Sequence, residues 1–197
     1  MVERTMPIKL EPQPEEKQVS QIIAAARKDP RMFGGLYSLY AQPVFRYLFS
    51  RIGSFPEAED ATAQTFLAAL ERFPNYRHDG YFASWLFSIA RNKAMDYFRQ
   101  QRNQTSLAEA EHIPAEANLL QQVIKTERIA ALSKLIGALS EEEQELIRLR
   151  YVAELSFAEI GHLLSQKEDA VKKTLYRLLA RLKVQADKEY PMEDSHV

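Results

Sequence analysis

The chain has 197 residues, of which 46% are hydrophobic and 27% charged, and its formal net charge is −1. This length and composition allow one or two packed domains and exclude global disorder. Because the sequence contains no cysteine, disulfides, thiolate metal sites and cysteine nucleophiles are excluded. No apolar run approaches the roughly 18–20 residues that span a bilayer, and the charged N-terminus lacks the apolar centre of a signal peptide. We therefore expect a soluble, cytoplasmic protein.

Positive charge is concentrated in two segments. Residues 91–102 carry four cations and one acid, and residues 167–183 carry six cations and two acids. Two basic segments in a near-neutral chain indicate two contact surfaces for a polyanion, although two solvated helix faces would look the same. Acids cluster elsewhere, at 57–60 and 141–145. The acids at 57–60 lie at the predicted N-terminus of a helix, where the helix dipole stabilises negative charge. The alternative is that they form a patch that binds a basic or polar protein partner.

Apolar residues recur at helical spacing throughout, and strand patterns are almost absent. In chain order the helices are expected at 21–28 (capped by Ser20), 31–52, 55–73, 85–102 (capped by Ser84), 119–139, 141–152, 157–164 and 168–185. Four Ser-x-x-Glu capping boxes support these starts, at Ser54/Glu57, Ser140/Glu143, Ser156/Glu159 and Ser165/Glu168. Pro43 and the Gly34-Gly35 pair are expected to make the second helix irregular.

The predicted fold class is all-α, with two helical domains joined by a flexible linker. A polar, acidic stretch with one proline separates the helical segments, which is typical of a linker. The expected organisation is a disordered tail over 1–19, a first domain over 20–103, a linker over 104–124, a second domain over 125–186 and an acidic tail over 187–197.

Residues 156–183 have the pattern of a helix-turn-helix. On its second helix Val171, Leu175, Leu178 and Leu182 form the buried stripe, so that the opposite face presents cations and a tyrosine. A helix of this shape and charge suits the major groove of DNA. A helical hairpin with a solvated basic face is the alternative.

The predicted helix over 85–102 and the loop before it interleave aromatic and basic residues. Aromatic rings stack on unpaired bases while cations hold the backbone, so this composition suits single-stranded nucleic acid. Tyr81 and Phe82 lie in the loop and are expected to be exposed. Taken singly, Trp85, Phe87 and Phe98 are better explained as core residues.

Four motifs, in this order, resemble the extracytoplasmic-function (ECF) sigma factors. They are Ala58-Glu59-Asp60 with Gln64-Thr65-Phe66-Leu67; residues 82–99; residues 139–143 with 147–151; and residues 156–161 with Val171-Lys172 and Leu175-Tyr176-Arg177. The resemblance implies that the first domain is sigma region 2 and the second is sigma region 4. It also implies that the chain binds core RNA polymerase (the beta-prime clamp and the beta flap) and promoter DNA, that an anti-sigma factor is a further partner, and that no cofactor, membrane insertion or catalytic residue is involved.

The same resemblance assigns residues to three contacts. The polymerase contact takes Asp60, Gln64, Phe66 and Leu67. The minus-ten promoter element takes Arg77, Phe82, Ser84, Trp85, Arg91, Asn92 and Arg99. The minus-thirty-five element takes Ser165, Asp169, Lys172, Lys173, Tyr176, Arg177 and Arg181.

Two helices depart from the family pattern. Ala63 stands where the clamp-binding helix usually has Gln. In the recognition helix, Thr174 stands where Arg is usual and Leu178-Leu179 where Ala-Arg is usual. A stand-alone DNA-binding regulator is the competing interpretation, although the aromatic loop disfavours it. An enzyme is disfavoured because His78, His112, His162 and His196 are scattered and no phosphate loop or nucleophile motif occurs.

Overall fold

The computed structural model describes residues 16–105 and 127–189, which form two helical bundles. The N-terminal bundle (residues 16–105) contains α1 (Glu16–Lys28), α2 (Gly34–Ile52), α3 (Phe55–Arg72) and α4 (Phe82–Thr105). The C-terminal bundle (residues 127–189) contains α5 (Glu127–Gly137), α6 (Glu141–Ile147), a π-helical turn (Arg148–Val152), α7 (Phe157–Leu164) and α8 (Glu168–Glu189). The predicted linker and tails lie largely outside the described residues.

The core of the N-terminal bundle forms where α2, α3 and α4 pack on one another. Its largest fully buried side chains include Tyr47, Phe82 and Phe87. The helix α2 runs unbroken through Pro43, although proline donates no backbone hydrogen bond. The irregularity expected at Pro43 is therefore absent, and buried Tyr40 and Val44 on either side hold this part of α2 in the core. The predicted helix over 31–52 is irregular at Gly34 instead, where a 3-10 helix (Pro30–Phe33) is followed by α2.

Two predicted helix starts and one predicted cap in the N-terminal bundle were wrong. Ser20 lies inside α1, which begins at Glu16, and Ser84 lies inside α4, which begins at Phe82. Ser54 does precede α3 with extended backbone, but its side chain makes no capping hydrogen bond. Ser20 and Ser84 have instead formed tertiary hydrogen bonds, to His78 and to the carbonyl of Glu159.

In the C-terminal bundle two capping boxes are confirmed. Ser140 and Ser156 each accept from the backbone N–H three residues on, and the glutamate there accepts from the serine N–H. Ser165 was predicted as a further cap, but it ends α7 in the left-handed conformation at φ 55°. At the start of α8, the backbone amides of Ala170 and Val171 donate instead to the carbonyl of Lys167.

The two bundles pack directly on each other. Contacts run between α4 and α7 and between α2 and the π-helical turn. A buried carboxylate, Glu145 of α6, meets Tyr47 and Arg51 of α2 in this interface. Within the described ranges, no helix is long and apolar enough to cross a membrane.

Candidate nucleic-acid and polymerase interfaces

An exposed face of α3 brings together three of the four residues expected at the polymerase. Asp60, Gln64 and Leu67 are spaced at one and two turns and are all exposed, Leu67 by 59%. The Gln64 amide donates to the Asp60 carboxylate over 2.6 Å. Ala63 is also exposed on this side of α3.

Phe66, the fourth residue, is buried and supports this face from beneath. Its ring lies edge-on to that of Tyr37, with centroids 4.8 Å apart. Tyr37 and Leu70 are themselves exposed by 50% and 41%. The sequence reasoning missed both, because Tyr37 reaches this face from α2 and sequence spacing within α3 does not reveal it.

Three of the residues expected at the minus-ten element lie on an open surface. Arg77, Asn92 and Arg99 are exposed, and Trp85 is half-buried. Arg99 pairs with Asp96 one turn earlier, over 2.9 Å, in an exposed contact that competes only weakly with a phosphate. Asn92 and Arg99 also line a cleft of about 610 Å³ beside Met95 and Phe98.

Phe82 and Ser84 do not fit the expectation of exposed DNA contacts. Phe82 is 2% exposed and packs on Tyr40 and Tyr76. Ser84 is also buried, and its hydroxyl donates 2.8 Å to the carbonyl of Glu159 in α7. The prediction that the Phe82 ring is exposed was wrong, because the residue belongs to the first turn of α4 and faces the core.

Two residues of α1 hold the loop that precedes α4, and sequence reasoning missed them. Arg27 donates 2.9 Å to the carbonyl of Tyr76, and the Ser20 hydroxyl lies 2.9 Å from Nε2 of His78. Arg77, between the two held residues, is thereby fixed in position with its side chain exposed. No sequence signal connects residues so far apart along the chain.

All seven residues expected at the minus-thirty-five element are exposed, and six of them lie on α8. The buried stripe Val171, Leu175, Leu178 and Leu182 is confirmed. Among the described ion pairs none involves Lys172, Lys173 or Arg177, whereas Arg181 is paired with Glu143 of α6. The free cations of α8 therefore form a surface suited to phosphates.

The turn between α7 and α8 is held by close backbone packing. The Gln166 amide donates 2.8 Å to the Gly161 carbonyl. A Cβ atom at residue 161 would lie 2.7 Å from the Gln166 carbonyl oxygen, so only glycine fits there. Tyr176 leans towards Phe157 at the start of α7, and the Arg150 guanidinium lies over that ring. The predicted helix-turn-helix is thus present, and the cationic face of its second helix, α8, is exposed.

In the described part of the chain, no three His, Asp or Glu side chains group in a way that could hold a metal ion. The cleft between α2, α4 and α6 is lined by Arg51 and Arg91 and by Glu141 and Glu145.

Two family models match the chain, in the order of the two bundles. Sigma-70 region 2 matches residues 36–104, and Sigma-70 region 4 matches residues 129–182. The first match starts after α1, so the helix that holds the loop at Tyr76 and His78 lies outside it.

Curated relatives and a solved structure agree with these matches. The ECF RNA polymerase sigma factor BldN of Streptomyces coelicolor is 34% identical over 76% of the chain, which spans 58% of BldN's length. The ECF RNA polymerase sigma factor SigM of Bacillus subtilis is 28% identical over 75% of the chain and 91% of SigM. CnrH, solved in complex with the cytosolic domain of CnrY, aligns with a TM-score of 0.64 over 89% of this chain and all of CnrH, at 21% identity.

Proposed function

Since this chain belongs to the extracytoplasmic-function class of the sigma-70 family, we propose that it binds core RNA polymerase and directs promoter recognition, melting and transcription initiation as an alternative sigma factor. The family is generally non-catalytic, and we propose that this chain carries no catalytic residue of its own. The polymerase would form the phosphodiester bonds. This chain would bind the unpaired promoter bases and so favour the melted DNA over the duplex.

One observation carries the proposal: an exposed face of mixed polar and apolar side chains on α3 and an exposed cationic face on α8 occur in the same chain. The α3 face combines Asp60 and Gln64 with exposed Leu67. This mixture of one charge and apolar surface suits a protein partner better than a polyanion. The free cations of α8 suit phosphates.

Promoter melting would use the surface of α4 and the loop before it. Capturing unpaired bases offsets part of the unstacking cost, which is a few kcal/mol per base. Arg77, Asn92 and Arg99 are exposed and can hold the backbone, and the Trp85 and Tyr81 rings are half-buried at the N-terminal end of α4 and just before it. The buried Phe82 supports these rings from below, since it packs on Trp85 at 5.5 Å.

The test is co-elution of the purified chain with bacterial core RNA polymerase on size exclusion. We expect a stable complex that is lost with Asp60→Lys, because the reversal places a cation on the α3 face. Asp187→Lys, an equal charge change on exposed α8, is the matched control and should leave the complex intact.

Tight binding of duplex DNA by a folded chain that never binds polymerase would contradict the proposal. That outcome would favour a stand-alone regulator. Equal loss of the complex with both variants would show that net charge, and not the α3 face, governs binding.

A protein inhibitor is the remaining proposed partner. CnrH was solved with the cytosolic domain of CnrY, and the resemblance to ECF factors implies an anti-sigma factor for this chain too. Tyr37, Leu67 and Leu70 are exposed apolar side chains of the α3 face that such a partner could cover.

A further inference from the structure

A loop of the N-terminal bundle runs along one face of α1, in the direction opposite to the helix. The Arg27 guanidinium, near the end of α1, donates 2.9 Å to the carbonyl of Tyr76. Two turns earlier, the Ser20 hydroxyl lies 2.9 Å from Nε2 of His78. The other ring nitrogen of His78 lies 3.3 Å from the Tyr76 hydroxyl, so the two held residues also contact each other.

A third contact continues this arrangement at the start of α1. The Glu16 carboxylate lies beside Gly80, where a Cβ atom would be 2.9 Å from its oxygen. The three contacts thus match the helix positions 27, 20 and 16 with the loop positions 76, 78 and 80. Helix positions four and seven residues apart lie on one face, so a single face of α1 follows the whole loop segment 76–80.

Burial alternates along the loop segment. Tyr76 is buried, and His78 and Gly80 are half-buried. Arg77 and Asp79, which lie between them, are exposed. Tyr76 has extended backbone, and in an extended chain successive side chains point to opposite sides. The contacts with α1 therefore turn Arg77 towards the solvent.

The helix α1 is itself firmly packed on the bundle. Its residues Val19, Ile23 and Ala26 are buried. Ile22 approaches α2 so closely that a Cβ atom at Gly35 would lie 3.0 Å from its side chain. Residues 76–81, in contrast, form neither helix nor strand. The position of the loop segment therefore depends on tertiary contacts, and α1 is a rigid support for it.

Resting on the proposed function, we propose that α1 positions the loop segment for single-stranded promoter DNA. Arg27 and Ser20 are positioning residues that hold Arg77 ready to meet a phosphate of the unpaired strand. A loop that is already held in its binding conformation loses less entropy when it binds, which raises affinity. The Sigma-70 region 2 match begins at residue 36, so this support comes from outside the matched region.

A direct phosphate contact by Arg27 is the alternative, because Arg27 is an exposed cation. Ser20 distinguishes the two roles. It is uncharged and meets the imidazole of His78, so its removal changes the support of the loop without changing the charge of the chain. An effect of Ser20→Ala on DNA binding therefore cannot come from a lost cation.

The first test uses Trp85, the single tryptophan of the sequence, in the free, full-length chain. Its ring is half-buried, with its centroid 4.6 Å from that of Tyr76. Ser20→Ala and Arg27→Ala should each increase the quenching of Trp85 fluorescence by acrylamide. Ser20→Thr keeps the hydroxyl and should restore the wild-type value. The matched control is Ser38→Ala, which removes a hydroxyl that donates within α2 and should change nothing.

The second test measures binding of a fluorescent, mixed-sequence single-stranded DNA to the chain in complex with core RNA polymerase. Binding by core polymerase alone is subtracted. Arg27→Ala should weaken binding by about two- to tenfold, since the loop segment must then be ordered on binding. Ser20→Ala should act in the same direction. Lys28→Ala removes an equal charge from the exposed end of α1 and should change binding by less than about twofold, because a charge without a phosphate contact is screened.

A double-mutant cycle identifies how Arg27 acts. In a chain that already carries Arg77→Ala, Arg27→Ala should weaken binding little further, because the residue that it positions is gone. Additive effects of the two substitutions would show that Arg27 contacts DNA directly and would overturn its positioning role. Circular dichroism confirms that each variant is folded.

The two tests separate this inference from the proposed function. Unchanged quenching of Trp85 in both α1 variants, or increased quenching with DNA binding as tight as in the wild type, would overturn the inference and leave the sigma-factor role standing. Failure to bind core polymerase, with quenching as expected, would overturn the proposed function. The DNA-binding role of α1 would fall with it, but not the hold of α1 on the loop.

Discussion

The imidazole ring of His162 lies stacked on the phenol ring of Tyr81, with centroids 4.5 Å apart and planes 15° apart. Nε2 of the same imidazole lies 3.3 Å from a carboxylate oxygen of Asp79. The short segment before α4 is therefore fastened from two directions, by α1 at Tyr76 and His78 and by α7 at Asp79 and Tyr81. A ring that could stack on a base already has a stacking partner within the chain.

Removing the cap of α7 should destabilise the C-terminal bundle. The Ser156 hydroxyl accepts from the Glu159 amide over 3.2 Å and donates to its carboxylate over 2.7 Å. Ser156→Ala should therefore lower the free energy of unfolding by about 1 kcal/mol. Urea unfolding followed by circular dichroism measures this. Ser54→Ala is the matched control and should change stability by less than about 0.5 kcal/mol, because Ser54 makes no capping bond; equal losses would contradict the assignment.

A methyl group at residue 161 should disrupt the turn of the helix-turn-helix. Its Cβ would lie 2.7 Å from the Gln166 carbonyl oxygen and 3.3 Å from the Glu168 amide nitrogen, both backbone atoms that cannot move away alone. We expect Gly161→Ala to cost about 1–3 kcal/mol of stability, measured by urea unfolding. At Gly34 a Cβ meets nothing within 4 Å and the backbone is helical. Gly34→Ala should therefore be neutral or stabilising, and destabilisation by both would show that the Gly161 contact is not the cause.

Local patterns predicted the helices and the cationic face of α8 well. The spacing of Val171, Leu175 and Leu178 is a property of one helix, and it identifies the opposite face without knowledge of the partner. Tertiary contacts were not predictable in the same way. Serine is a residue type that commonly caps helices, but the Ser84 hydroxyl donates to the carbonyl of Glu159, 75 residues away.

The capping motif shows the same limit within the C-terminal bundle. Ser156 and Ser165 are each followed by Glu at the third position, yet only Ser156 caps a helix. Ser165 is held in the left-handed conformation, because the tight turn requires a reversal of the chain directly after α7. The tertiary requirement of the turn thus overrides a local preference for capping.

Three buried tyrosines should make the chain less stable at alkaline pH. Burial raises the pKa of Tyr40, Tyr47 and Tyr76, with nearby carboxylates (Glu145, in the case of Tyr47) raising it further. In the unfolded chain tyrosine titrates near pH 10. Above about that pH the unfolded state loses protons that the folded state keeps, so the free energy of unfolding falls as pH rises.

Tyr47→Phe removes one of these groups. The slope of the free energy of unfolding against pH should become shallower by up to about 1.4 kcal/mol per pH unit above pH 10. Urea unfolding at a series of pH values measures the slope. The lost hydrogen bond to Glu145 lowers the whole curve but not its slope, so unchanged slopes in the two proteins would contradict the assignment.

The exposed cations of α8 should set the salt dependence of duplex DNA binding. Lys172 is exposed and has no ion pair among the described residues, so its ammonium group is free to meet a phosphate. Lys172→Ala should weaken binding of a mixed-sequence duplex and lower the slope of log affinity against log salt by about 0.9. Fluorescence anisotropy across a salt series measures both quantities.

Lys28→Ala removes the same charge from the exposed end of α1 and should leave the slope unchanged. Equal slope changes in the two variants would show that net charge, and not the α8 surface, governs the contact.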